Sequence, residues 1–200
     1  ELRFLKSQIT PHFLFNALNN IYSLVYTKDE KAPQSVLKLS DMLRYVMVDC
    51  QVDEISLDKE MKYIDAYIDF QQMGMENKSN VIFEKNIRNY DFKIPPMILQ
   101  PLVENSFKHS RVVNYPDGYV HFYLFQENNS LLFTAKNSFK GVSLSVVDSN
   151  KKQQQGIGLS NVKKRLELYY GKNYSFDVKQ EDDNYIATIK IGDINNEKKV

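Results

Sequence analysis

In the run Thr10-Pro11-His12-Phe13-Leu14-Phe15-Asn16 a histidine directly follows a proline inside an otherwise helical pattern. An imidazole can accept or donate a proton, or act as a nucleophile, near neutral pH. Helical residues turn by roughly 100 degrees each, so Leu14, Leu18, Ile21 and Val25 are expected to form one apolar stripe facing the core. His12 lies nearly opposite, on the side of Phe15, Asn16 and Asn19. Its ring is therefore expected to point toward solvent or a docking partner. Pro11 removes a backbone donor and clashes with the preceding turn, which predicts a bend where the histidine emerges. Taken alone, the run is also what a surface histidine beside a helix kink would look like.

A second concentration of chemistry lies in Pro101-Leu102-Val103-Glu104-Asn105-Ser106-Phe107-Lys108-His109. Glu104 and Lys108 share one helical face, Asn105 and His109 the adjacent one, and Leu102, Val103 and Phe107 the apolar side. An asparagine oxygen is a hard ligand suited to magnesium, a carboxylate can orient or deprotonate a nucleophile, and a lysine can meet a phosphate. An amphipathic helix with a solvated polar edge would explain the segment equally well by itself. Gly156-Ile157-Gly158-Leu159-Ser160-Asn161 stands where a loop becomes a helix, and free N–H groups with the helix dipole favour phosphate at such a start. A plain turn would also use two glycines. No Gly-Lys-Ser or Gly-Lys-Thr follows, so the segment is not a Walker motif.

The elements that must hold these groups come from a chain of 200 residues, 42% hydrophobic and 12% aromatic, enough to bury a core. Its 26 basic and 25 acidic side chains nearly cancel, giving no field to capture nucleic acid or an anionic membrane. Cys50 is the sole cysteine and is expected as a reduced, packed thiol, which points to a cytosolic setting. No run approaches the roughly 18 apolar residues of a membrane span, and no signal sequence is present. A chain that opens at Glu1 already in helical pattern implies an upstream part, a sensor or a membrane anchor.

Two helices are predicted first, one ending near Thr27 and one beginning near Pro33, with Val36, Leu39, Leu43, Val46 and Cys50 as the seam of the second. Two helices make a thin core, so pairing with a second copy into a four-helix bundle is the natural solution. Leu57, Met61, Ile64 and Ile68 mark a third helix fading near Gly74. Beyond it the pattern predicts a strand over Val81–Ile87 and a helix after Pro95-Pro96. A strand pair at Tyr119–Phe125 and Leu131–Asn137 turns at Glu127-Asn128-Asn129-Ser130. A mobile loop from Ser138 to Gln155 precedes a helix through Tyr170, and strands at Tyr174–Lys179 and Tyr185–Ile191 complete a mixed sheet with helices on one face.

Three segments together, Thr10 to Asn16, Ile94-Pro95-Pro96 through Gln100-Pro101-Leu102-Val103-Glu104-Asn105, and Gly156-Ile157-Gly158-Leu159, resemble the LytS-type sensor histidine kinases over nearly the whole chain. The resemblance implies an α+β chain. Residues 1–54 would be a helical hairpin that dimerises and carries the phosphoacceptor, and residues 55–200 a GHKL (Bergerat-type) α/β sandwich binding ATP and Mg2+. His12 matches the phosphorylated histidine and Asn16 is placed to orient it or a water. Asn105 matches the magnesium-binding asparagine, Glu104 its acidic neighbour and base, and Lys108 and His109 the positions near the phosphates. Gly156, Gly158 and Leu159 match the end of the lid over the nucleotide.

Two positions depart from the pattern of such kinases. An Asp-x-Gly-x-Gly segment usually reads the adenine amino group, and here Asn137 takes that place, able to accept the hydrogen bond without the charge. Gly74 stands where an arginine is common. The implied activity is autophosphorylation of His12 and transfer to an aspartate of a response regulator, of LytTR type in related systems. The implied setting is the cytoplasmic portion of an inner-membrane protein. The competing readings are a non-catalytic, pseudokinase-like dimeric binding module and a stand-alone GHKL ATPase. The second of these needs no proline-set histidine.

Overall fold

The computed structural model describes residues 11–73, 75, 80–110, 112, 115, 117–139 and 157–192. The chain divides into two units whose segments interleave: Glu1–Glu76 with Lys93–Met97, and Asn77–Phe92 with Ile98–Val200.

The first unit holds α1 (Pro11–Tyr26), α2 (Ala32–Met47), a single 3-10 turn at Asp49–Gln51, β1 (Ile55–Ser56), α3 (Leu57–Gln72) and β3 (Lys93–Ile94). Pro33 in the first turn of α2 supplies a preset φ where no amide partner is needed. Cys50 is fully buried in the 3-10 turn, as expected of a packed thiol. The core seam of α1 differs from the expected one. Phe13, Ala17 and Ile21 are buried, whereas Leu18 and Val25 are exposed and Leu14 is half-buried. In α2, Leu39 and Val46 are buried with Ala32, Ser35, Met42 and Tyr45, Leu43 is half-buried, and Val36 faces out.

The cause is α3. Its rings rotate the seams toward themselves, with Phe13 stacked on Tyr67 at 4.7 Å and edge-on to Phe70 at 6.2 Å, and Tyr45 stacked on Tyr63 at 4.7 Å. Lys38 also pairs with Asp69, and Asn20 Nδ2 donates to the Phe70 carbonyl at 3.4 Å. A three-helix unit therefore closes inside one chain. The opposite side of α1 is left with Phe15, Leu18, Tyr22, Val25 and Tyr26 in solvent, joined on α2 by Val36, Leu37 and Met47.

The short strands β1 and β3 pair antiparallel, Ile55 opposite Ile94 and Ser56 opposite Lys93, and both isoleucines are buried. Two-residue strands carry no alternation that a sequence pattern can detect, and neither was expected. Beyond Pro95-Pro96 the backbone turns left-handed at Met97 (φ +59°), a conformation that costs a non-glycine residue on the order of 1 kcal/mol.

The second unit is a five-stranded sheet in the order β2-β4-β5-β7-β6, from β2 (Val81–Ile87), β4 (Val120–Glu127), β5 (Ser130–Ser138), β6 (Tyr174–Glu181) and β7 (Asn184–Ile191). Among the described strands, β2–β4 is the one parallel pair of this sheet. Helices α4 (Gln100–His109) and α5 (Ile157–Tyr170) belong to the same unit. Alternation builds the buried face: Val120, Phe122 and Leu124 on β4, Leu131, Phe133 and Ala135 on β5, and Ala187, Ile189 and Ile191 on β7. Leu102, Val103 and Phe107 of α4 and Val162 and Leu166 of α5 are buried too, and the Phe107 and Phe122 rings meet at 5.9 Å. The predicted α+β organisation of helices followed by a mixed sheet is what the structure has.

Strand β5 runs one residue further than expected. Ser138, assigned from the sequence to a loop, is buried because its amide donates to the Tyr119 carbonyl and its Oγ accepts from the Tyr119 amide, both at 3.0 Å. The remainder of the expected loop, residues 140–155, lies outside the described residues, as do Gly74, Gly156 and the expected bend before Pro11.

Candidate functional site

Helix α4 gathers four of the expected site residues. Leu99 is its N-cap, Pro101 lies in its first turn, and the Leu102 amide closes back on the Leu99 carbonyl at 3.0 Å. With its apolar side locked against the sheet, Glu104, Asn105, Lys108 and His109 fall on the remaining surface, the first two and His109 half-buried and Lys108 exposed. The helical reading of the motif thus holds.

Burial pushes the Glu104 carboxyl above the usual carboxylate range, opposed by a hydrogen bond from Gln100 Nε2 to Glu104 Oε1 at 3.2 Å and by the charge of Lys108. A carboxylate so shifted is a better proton acceptor at neutral pH than an ordinary one. Burial, and then Lys108, lower the pKa of His109. The neutral form of His109, one ring nitrogen donating and the other accepting, is thereby favoured.

Gln100 was not singled out in the sequence. Its place one turn before Glu104 was the available signal, since residues at i and i+4 meet on a helix. It is almost completely buried, and its Oε1 has no hydrogen-bond partner among the described residues.

Strand β5 supplies the other polar group. Asn137 is fully buried, following Phe133 and Ala135 along the covered face and standing opposite Val120 and Tyr185. Its Nδ2 donates to the Ser138 carbonyl at 2.9 Å, which fixes which end is the amide nitrogen. The other end, Oδ1, has no partner among the described residues. A buried carbonyl oxygen left unpaired costs about 1–3 kcal/mol, so an acceptor held this way fits a ligand that brings its own N–H. An adenine amino group is such a donor.

At the start of α5, Gly158 and Leu159 are half-buried in the first turn, and a Cβ added at Gly158 would meet no described residue within 4 Å.

His12 and Asn16 belong to the other unit. Both are in the first turns of α1; Asn16, Phe15 and Asn19 are exposed, and the His12 side chain lies outside the described residues. The site residues therefore divide by unit, with the expected acceptor on one and the expected nucleotide groups on the other. Among the described residues no group of three His, Cys, Asp or Glu could hold a metal, and no helix is long and apolar enough to cross a membrane.

Comparison with known proteins gives two family matches in chain order, "Histidine kinase" over residues 1–79 and "GHKL domain" over residues 96–192. The chain is 28% identical over 195 residues to Sensor protein LytS of Staphylococcus saprophyticus, covering 89% of this chain and 31% of that protein. It is 34% identical over 175 residues to Sensor histidine kinase YpdA of Escherichia coli, covering 86% of this chain and 31% of that protein. The chain thus spans about a third of the length of these relatives. Among solved structures, the histidine kinase domain of the Erythrobacter litoralis EL346 blue-light activated histidine kinase matches with TM-score 0.48 and 12% identity, over 95% of this chain and 89% of that one.

Proposed function

We propose, from its family matches to "Histidine kinase" over residues 1–79 and "GHKL domain" over residues 96–192, that this chain is the autokinase core of a two-component sensor. His12 is the phosphoacceptor, ATP the donor, and an aspartate of a response regulator, of LytTR type in such systems, the final recipient. The observation that carries this reading is the buried Oδ1 of Asn137, without a hydrogen-bond partner among the described residues, in the unit whose α4 bears Glu104 and Asn105.

In this reading Asn137 accepts from the adenine amino group. Asn105 offers its amide oxygen to magnesium, and a lone neutral oxygen suits that metal, which usually takes one or two protein ligands and completes its shell with phosphates and water. The metal, when bound, neutralises phosphate charge. Lys108 adds a second positive charge, neutral His109 a hydrogen bond, and the backbone at Gly156, Gly158 and Leu159 an approach for the phosphates. Asn16 orients His12. Glu104 orients the imidazole or takes its proton as a ring nitrogen bonds to the γ-phosphorus and the bond to the β-phosphate oxygen breaks, releasing ADP. Positioning and charge neutralisation supply most of the rate.

The exposed stripe of Phe15, Leu18, Tyr22 and Val25 supports the homodimer. Fully burying a large apolar side chain contributes about 1.5–3 kcal/mol, and a second hairpin packed on this face would bury several. Residues 1–54 act as the dimerising acceptor part.

Direct support comes from acid-labile label on the protein after incubation with γ-labelled ATP; its absence in magnesium-supplied protein would refute the kinase reading. The adenine contact has its own test. Asn137→Leu keeps the volume but removes the acceptor, and a lost neutral hydrogen bond of about 1 kcal/mol weakens ATP several-fold. Unchanged ATP affinity in a folded Asn137→Leu protein would show that this oxygen does not face adenine.

A further inference from the structure

A fully buried carboxylate lies away from the groups described above. Glu60, in the first turn of α3, is 0% exposed. Its Oε2 accepts both from the Tyr45 hydroxyl and from the backbone amide of Met97, the latter at 2.8 Å, and that amide also lies 3.3 Å from the Tyr45 oxygen. Replacing such a buried carboxylate by an apolar side chain often leaves stability unchanged or higher. Stability alone is therefore a weak account of an acid at this place.

The group it grips is unusual. Among the described residues four non-glycine residues have positive φ: Lys28, Met97, Asn128 and Asp182. Lys28, Asn128 and Asp182 sit exposed in turns, whereas Met97 is buried. A methionine does not adopt this backbone by preference, so something outside the residue must hold it there. The segment is tied just upstream by the pairing of Ile94 with Ile55 and stiffened by Pro95 and Pro96. Three residues beyond Met97 comes Gln100, the first residue of α4, and Glu104 and Asn105 follow one turn later.

We propose that Glu60 and Tyr45 are positioning residues for phosphoryl transfer. By holding the Met97 amide they keep the left-handed turn that sets the direction in which the chain enters the helix carrying Glu104 and Asn105. The consequence for catalysis rests on the kinase reading above; the pinning of Met97 does not. Tyr45 on α2, Glu60 on α3 and Met97 all belong to one unit, and α4 begins three residues beyond Met97.

The test uses the whole chain and two readouts, exchange of the Met97 amide hydrogen and the rate of acid-labile labelling across ATP concentrations. Glu60→Leu removes the acceptor: amide exchange rises at least about tenfold, and labelling at saturating ATP falls about tenfold with little change in KM for ATP. Glu60→Gln retains an acceptor oxygen and stays close to wild type in both. Adding Met97→Gly to Glu60→Leu restores labelling to within about threefold of wild type, because glycine takes positive φ without the side-chain penalty.

A merely structural Glu60 would give a double variant as slow as Glu60→Leu alone, and that result overturns the proposal. If Glu60→Leu does not fold, Met97→Val burdens the left-handed turn without touching Glu60. Labelling is then expected to slow in the folded protein, and an unchanged rate is equally fatal. If wild-type protein gives no label, the kinase reading fails, while amide exchange in Glu60→Leu and Glu60→Gln still decides whether the carboxylate pins Met97.

Discussion

His12→Gln is expected to reduce acid-labile label from γ-labelled ATP to background while ATP affinity stays at the wild-type value. The two halves of this result follow from the division of site residues, since Asn105 and Asn137 belong to one unit and His12 to the other. A phosphoryl group on an imidazole nitrogen is released by acid and survives base, so the chemistry of the label reports the acceptor type. The chain has three histidines. His109 is half-buried on α4 beside the expected phosphate groups, and His121 lies exposed on β4 with its ring 5.1 Å from that of Tyr119. Label surviving in His12→Gln would make His121 the first alternative and would remove α1 from the mechanism.

The second large effect separates two adjacent residues of α4. Asn105→Ala is expected to weaken magnesium-dependent ATP binding on the order of 100-fold, the scale on which disturbing a metal's protein shell is felt. Calorimetric titration with and without magnesium measures it, and equal affinity for wild type and variant would rule out the metal role. Glu104→Gln should leave binding nearly intact and lower the labelling rate on the order of 100-fold or more, as for a group felt mainly in the transition state.

The two variants also differ in pH dependence. Burial raises the Glu104 pKa above the ordinary carboxylate range, and only the ionised form can take a proton. If Glu104 takes the proton, the wild-type rate is expected to fall with decreasing pH from a point above that range, and Glu104→Gln to remove this limb. A variant that keeps the wild-type acid limb would show that another group titrates there.

Long periodic elements were legible from the sequence because alternation and helical spacing repeat several times within each. The sheet's strands and the polar edge of α4 are of this kind. The inner faces of α1 and α2 were not, because each carries apolar residues on two sides: Phe13, Ala17 and Ile21 on one, and Phe15, Leu18, Tyr22 and Val25 on the other. Periodicity offers both stripes, and only the rings of α3 decide which is internal. Glu60 left a clear trace that went unread. It falls three residues after Leu57 and four before Ile64, on the apolar face of its helix, and an acid there demands a buried partner. Its partner amide at Met97 lies far along the chain and carries no side-chain signal.

The interleaving of the two units bears on how the protein comes to be folded. A nascent chain halted at Phe92 already contains the three described helices of the first unit and strand β2 of the second. It still lacks the strand opposite Ile55 and the amide that meets Glu60. Strand β2 must in turn wait for β4, its parallel neighbour, to emerge. Neither unit can therefore mature before synthesis of the other has begun, and the long-range closures fall late in folding, where loop entropy makes them slow.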